Sequence, residues 1–170
     1  MKYEIIDDMI TLEECNKIIE AVMIQDEWVY DPVINNDGYE HPREHGELVR
    51  KVLQTPIKPV FHEWEGLKVL GTKVMKYEVG DFVKEHRDRL GMLHSSCYEE
   101  GTDLKSKDLM IIPLNSDYKG GELSVDGEVI EQKVGSVIQV AQPMEGYRPM
   151  HAVSEVTKGT RFSLVFWNFQ

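Results

Sequence analysis

Cysteine is scarce in this chain: two among 170 residues, Cys15 and Cys97. Nothing about them suggests a disulfide framework, and both read as reduced thiols of a cytoplasmic protein. Basic residues are outnumbered, with 19 Lys and Arg against 30 Asp and Glu and a formal net charge of -11. Such a surface repels phosphate backbones, which disfavours nucleic acid as the main partner and leaves room only for a small local basic groove. No apolar run approaches the length of a membrane span. The opening MKYEIIDDMITLEEC places acids where a secretory leader needs an unbroken apolar core. Repeats and low-complexity tracts are missing as well. What remains is 41% hydrophobic, ordinary for a globular protein, over a length that makes one domain with a real core. Oligomeric state is left open.

The first element the pattern predicts is a helix. Thr11 and Glu14 make a capping box, and Leu12, Cys15, Ile18, Ile19, Val22 and Met23 recur at steps of three and four. A short strand, IIDDMI, leads into it. Residues 30–46, rich in Pro, Asn, Asp and Gly, read as a long loop, and ELVRKVLQTPIKPVF reads as a second helix stopped by Pro56 and Pro59. After residue 67 the texture changes. LKVLGTKVMKYEV, DLMIIPLN, GGELSVDG, EVIEQKVG, SVIQVA, HAVSEVTKG and TRFSLVFWNF are strand-like segments separated by turn residues. Strands without intervening helices indicate a sandwich or barrel rather than a parallel sheet with crossovers. One domain is therefore expected over 1–170, with 1–66 mostly helical support and 67–170 a β core. The segment 89–107 has no stable period, and a connection that long inside a compact domain points to function.

Chemistry enters at His86-Arg87-Asp88. Six histidines among thirty acids make such a spacing common by chance, and His45-Gly46-Glu47 repeats it. The second instance falls between a loop and a helix start, where Glu is favoured in the first turn, so it reads as solvated surface. The first follows a strand-like run, where residues two apart share a face. His86 and Asp88 then present two ligands side by side while Arg87 faces away. A third ligand is expected from the other end of the sheet, where His151 opens HAVSEV. Two histidines and a carboxylate form the facial triad of non-haem Fe(II) oxygenases, although any one of these histidines alone reads as a polar strand residue with a backbone partner.

Arg161 begins a strand whose alternation puts Arg161, Ser163 and Val165 on one face. If that face is the core, the buried guanidinium needs an anion. With His151 and Arg161 in facing sheets across the TKGT turn, the gap of about 10 Å between packed sheets suits a small dicarboxylate, one end on the metal and the other paired with Arg161. A structural Arg paired with one of the thirty acids is the plainer alternative.

These residues carry a family resemblance. The chain resembles the Fe(II)- and 2-oxoglutarate-dependent dioxygenases, in their prolyl 4-hydroxylase-like branch. IIDDMITLEECNKIIEAV is similar to the opening strand and helix of that branch. Tyr77-Glu-Val-Gly80 resembles the lead into its His-x-Asp strand, IIPLNSDYKGGELSV its central strand and Gly-Gly-Glu-Leu turn, and GSVIQV the strand after it. HAV followed by KGTRFSLVFW resembles the closing pair. The resemblance implies a mainly β fold with flanking helices, a double-stranded β-helix or jelly-roll core. It implies Fe(II) held by His86, Asp88 and His151, and 2-oxoglutarate whose distal carboxylate pairs with Arg161, helped by Ser163. Tyr77 stands where the family often has a tyrosine in the cosubstrate pocket; a core aromatic is the equal alternative. The collagen-type enzymes often carry Lys where this chain has Arg161, which leaves the subgroup open.

The implied activity is oxidative decarboxylation of 2-oxoglutarate by dioxygen, coupled to hydroxylation of a substrate C–H bond, with ascorbate as an optional accessory. Peptidyl proline is the family-level expectation for the substrate; other protein side chains and small molecules stay open. Met92, Leu93 and Tyr98 in segment 89–107 are expected to form a substrate lid. Two other readings compete. A jelly-roll binding module without catalysis would need a missing ligand, and a Zn hydrolase with the same triad gives no reason for Arg161.

Overall fold

The computed structural model of the chain describes residues 2–24, 29–30, 51–53, 68–87, 106–141 and 147–169. In chain order these form β1 (Tyr3–Ile6), α1 (Leu12–Ile24), β2 (Val29–Tyr30), β3 (Lys51–Leu53), β4 (Lys68–Tyr77), β5 (Val83–His86) and β6 (Ser106–Pro113). There follow β7 (Lys119–Gly120), β8 (Leu123–Val125), β9 (Glu128–Val129), β10 (Val137–Ala141), β11 (His151–Val153), β12 (Val156–Lys158) and β13 (Arg161–Phe169).

The strands pair antiparallel into a large sheet, β1-β10-β6-β13-β4-β3-β2, a smaller one, β5-β11-β8-β9, and the ribbon β12-β7. This is the mainly β, jelly-roll architecture expected from the run of helix-free strands. Alternation along the large sheet explains its two cores. Met75 and Tyr77 of β4, Leu109 and Ile111 of β6, and Ile138 and Val140 of β10 turn one way, onto Val83, Leu123, Val125 and Val153 of the smaller sheet. Val74, Met110, Ile112, Val137, Leu164 and Phe166 turn the other way, onto α1. A sheet covered on both faces reads as an unbroken apolar run, which is why LMIIP of β6 shows no polar alternation.

The capping box forms as expected: the Thr11 N–H donates to Glu14 Oε2 at 2.7 Å and the Glu14 N–H to Thr11 Oγ1 at 3.2 Å. The buried stripe is narrower than the spacing predicts. Cys15, Ile18 and Val22 are buried, whereas Leu12 and Met23 are exposed. At about 100° per residue those two lie roughly a quarter-turn from the stripe's centre, beyond the reach of a flat sheet.

Two other expectations are corrected. Lys51–Leu53, inside the predicted second helix, is a strand that pairs with both β2 and β4; hydrogen bonding to a sheet edge overrides a weak helical pattern there. HAVSEVTKG is divided at Ser154-Glu155 into β11 and β12, which run in turn along β8 and β7; the Ser154 N–H donates to the Glu122 carbonyl and the Gly121 N–H to the Glu155 carbonyl between the two pairings. β1, β2 and β3 all join the large sheet. The loop expected over 30–46 lies outside the described residues beyond Tyr30, as do His45, Glu47 and segment 89–105.

Candidate active site

Between the two sheets the chain crosses over at Tyr77. The turn after it is held by the Asp81 N–H donating to the Glu78 carbonyl, the Glu78 N–H donating to Asp81 Oδ2, and the Gly80 N–H donating to the Val156 carbonyl. Gly80 takes φ of +93° there, a conformation that side-chain-bearing residues rarely adopt. Tyr77 therefore ends a large-sheet strand, and β5 begins six residues later in the smaller sheet.

His86 reaches the interior by a local irregularity. Val83 and His86 are both buried although they are three residues apart, which regular alternation forbids. The register resolves this: Val153 pairs with Val83 and His151 with His86, so β5 spends one more residue than β11 over the same span. That extra residue is a β-bulge, a device that re-aims a side chain. Its second effect is on the imidazole, since His86 Nδ1 lies 2.7 Å from the Lys84 carbonyl oxygen. A carbonyl only accepts, so Nδ1 carries the proton and Nε2 carries the lone pair a metal needs.

The sequence suggests that His151 comes from the far end of the sheet. It lies instead on the adjacent strand, as the direct register partner of His86, with ring centroids 4.3 Å apart and planes at 57°. Both rings are nearly buried, at 5% and 7% exposure. Two imidazoles tilted toward one another, one of them with its tautomer fixed, suit a shared divalent cation better than a packing role. Among the described residues no third His, Cys, Asp or Glu completes a cluster. Asp88, the expected carboxylate, lies outside the described residues, as do Met92, Leu93 and Tyr98.

Residues with no sequence signal brace this pair. The Arg87 Nε–H donates to the Arg148 carbonyl at 2.7 Å, and its guanidinium lies 5.6 Å from the centroid of the Tyr147 ring. Arg87 thus ties the His86 strand to the segment leading into His151. Asp126 Oδ1 accepts from the Tyr147 hydroxyl at 2.7 Å and the Met150 N–H at 2.9 Å, while Oδ2 faces the Lys2 ammonium at 3.3 Å. Burial alone would raise this carboxyl. The hydrogen bonds from Tyr147 and Met150 and the Lys2 charge outweigh it and hold Asp126 below the usual carboxylate range.

The Arg161 side sits in the other sheet. Arg161 opens β13 opposite Tyr77, and the predicted face is correct: Val165 packs toward the smaller sheet, whereas Phe162, Leu164 and Phe166 turn to α1. Its guanidinium is 1% exposed. It donates through Nη1 to Ser163 Oγ at 3.1 Å and through Nη2 to Gln132 Oε1 at 2.8 Å, and it lies 4.9 Å from the centroid of the Tyr77 ring. Nε, also buried, has no hydrogen-bond partner. Among the described residues no carboxylate forms an ion pair with it. A buried guanidinium with only neutral neighbours is costly unless an anion joins it.

Asn115 fixes the backbone on both sides of this residue. Its Nδ2–H donates to the Thr160 carbonyl and its Oδ1 accepts from the Phe162 N–H, at 2.7 and 2.8 Å. Gly121, which the sequence marks as a turn, also makes room for the anchor, since a Cβ there would stand 2.8 Å from Arg161 Cδ. Gln132 and Asn115 fall in segments read as strands, EVIEQKVG and DLMIIPLN, but lie in the connections beyond β9 and β6, so only the Asn-Ser-Asp turn chemistry around Asn115 could have drawn attention to either.

A family model of the 2OG-Fe(II) oxygenase superfamily matches residues 72–169, more than half of the chain. Among solved structures, the viral collagen prolyl hydroxylase of Paramecium Bursaria Chlorella virus-1, with bound 2OG, is similar with a TM-score of 0.67 at 16% identity. That likeness covers 99% of this chain and 96% of the viral one. A prolyl-4-hydroxylase of Pseudomonas putida is similar with a TM-score of 0.67 at 14% identity, covering 99% and 93%. A prolyl hydroxylase of Trichoplax adhaerens, in complex with a hypoxia inducible factor peptide fragment, is similar with a TM-score of 0.63 at 10% identity, covering 99% and 83%. No curated protein matches by sequence. Among the described residues no helix is long and apolar enough to cross a membrane.

Proposed function

We propose, because this chain belongs to the 2OG-Fe(II) oxygenase superfamily, that it hydroxylates a C–H bond of a peptide substrate, with peptidyl proline as the target, at the expense of 2-oxoglutarate and dioxygen. The family's cofactor and cosubstrate are Fe(II) and 2-oxoglutarate. The balanced reaction consumes one dioxygen: one oxygen atom goes into the succinate formed as carbon dioxide leaves, and the other into the new hydroxyl. Bound Fe(II) supplies the activation of dioxygen.

The chain's own residues have the following parts. His86 and His151 hold the metal with Asp88 as the third ligand, and the Lys84 carbonyl keeps His86 Nε2 as the donor nitrogen. Arg161 takes the distal carboxylate of 2-oxoglutarate with Ser163 beside it, and Tyr77 walls the pocket with its ring. The buried residues of the two sheets exclude water from the reacting centre.

The observation that carries this reading is Arg161: a fully buried cation with neutral partners, in the sheet facing the histidine pair. The three prolyl hydroxylase neighbours support peptidyl proline as the substrate class. Incubation of proline-containing peptides with protein, Fe(II) and 2-oxoglutarate, read by mass spectrometry, tests it. A gain of one oxygen on a proline, dependent on 2-oxoglutarate, is expected. Succinate formation with no oxygen gained by any proline peptide would move the substrate elsewhere.

A further inference from the structure

We infer that Gln132 is a positioning residue for the cosubstrate anchor: it holds the Arg161 guanidinium in place while leaving its charge for the ligand. This rests on the proposed role of Arg161. Three observations carry it. First, Gln132 sits on the connection from β9 of the smaller sheet to β10 of the large one, and its side chain joins Gly121, just before β8, to Arg161 of β13. Second, its amide is orientated. Nε2–H donates to the Gly121 carbonyl at 3.1 Å, which directs Oε1 to Arg161 Nη2 at 2.8 Å. The carbonyl it uses belongs to the glycine that makes room for Arg161 Cδ, so one residue reads the position of both. Third, the groups that the guanidinium contacts among the described residues are neutral: Gln132, Ser163 and the Tyr77 ring, with no hydrogen-bond partner for Nε.

A carboxylate at position 132 would present an oxygen to Arg161 at the same reach, although it has no N–H to give the Gly121 carbonyl. It would also neutralise the guanidinium, and an incoming carboxylate would then compete with an internal one. The amide supplies geometry without charge, which is what a preorganised anion site needs. An apolar residue would leave Nη2 without a partner and the guanidinium free to swing.

The test compares two 2-oxo acids that share the keto-acid end. 2-Oxoglutarate carries the distal carboxylate, and 2-oxopentanoate replaces it with a methyl group. Binding of each to the Mn(II)-loaded protein is measured by calorimetry without dioxygen, for the natural sequence, Gln132→Glu and Gln132→Leu. The expected result is at least a tenfold loss of 2-oxoglutarate affinity in Gln132→Glu, a smaller loss of about threefold in Gln132→Leu, and 2-oxopentanoate binding within twofold throughout. A merely structural role would weaken both acids together. Unchanged preference for 2-oxoglutarate in both variants, or equal losses for both acids, would overturn the inference. If Arg161→Leu also left 2-oxoglutarate binding unchanged, the failure would lie with the anchor itself and not with Gln132.

Discussion

His86 and His151 face each other as register partners on neighbouring antiparallel strands, their rings 4.3 Å apart at the centroids. We propose that these two nearly buried imidazoles share a cation; a bulge in β5 aims one of them. His86→Ala, Asp88→Ala and His151→Ala should each abolish turnover with the fold intact. His45→Ala and Glu47→Ala, which share the His-x-acid spacing, should leave activity alone. Metal content after Fe(II) or Co(II) loading, together with circular dichroism, checks this; near-normal loading in any of the first three would remove that residue from the ligand set.

Arg161→Leu removes the cation and leaves its neighbours neutral. The expected loss is about 2–4 kcal/mol of 2-oxoglutarate affinity, with metal binding changed little. Titration of the cosubstrate in the two proteins measures it, and equal affinities would show that the dicarboxylate anchors elsewhere.

Asp126 should leave a mark on the acid limb of stability. Its carboxyl is held below the usual range in the fold, so its stabilisation is full above the unfolded value of about 3.9 and is lost as pH falls through the lower folded value. Asp126→Asn keeps a residue tolerant of the φ of +50° and removes the charge. A lower Tm than the natural protein at pH 7 is expected, with the gap closing below about pH 4. A gap independent of pH would mean that the charge contributes nothing.

Cys15 is buried against the sheet and its thiol is pushed up to about 11, chiefly by burial. The thiolate is the reactive form, so alkylation of Cys15 at about pH 8 should be negligible in the folded protein and rapid in denaturant. Peptide mapping after iodoacetamide treatment reports it. Modification of the native protein at the rate of a free thiol would contradict the burial.

The legible parts of the sequence were those written in a regular period. Alternation placed Arg161 and Ser163 on the sandwich-facing side of β13, and the Thr11–Glu14 spacing located the start of α1. Parts set by long-range pairing were not legible. Lys51–Leu53 has a pattern that fits a helix, and only hydrogen bonding to β2 and β4 makes it a strand. The bulge at β5 has no signature in Val83-Lys-Glu-His86, because it is defined by the strand opposite. Gln132 falls in EVIEQKVG, which reads as a strand although only Glu128–Val129 forms one, and its meaning comes from Gly121 and Arg161, respectively 11 and 29 residues away in sequence.

The most direct test of the central claim is the release of succinate from 2-oxoglutarate by purified protein in air, with Fe(II) and with Zn(II), for the natural sequence and for His151→Ala and Arg161→Leu. The expected result is succinate with Fe(II) alone, none from His151→Ala at any 2-oxoglutarate concentration, and a raised cosubstrate requirement in Arg161→Leu. Succinate at the same rate from His151→Ala, or none from the natural protein with Fe(II) and a range of peptide substrates, would contradict it.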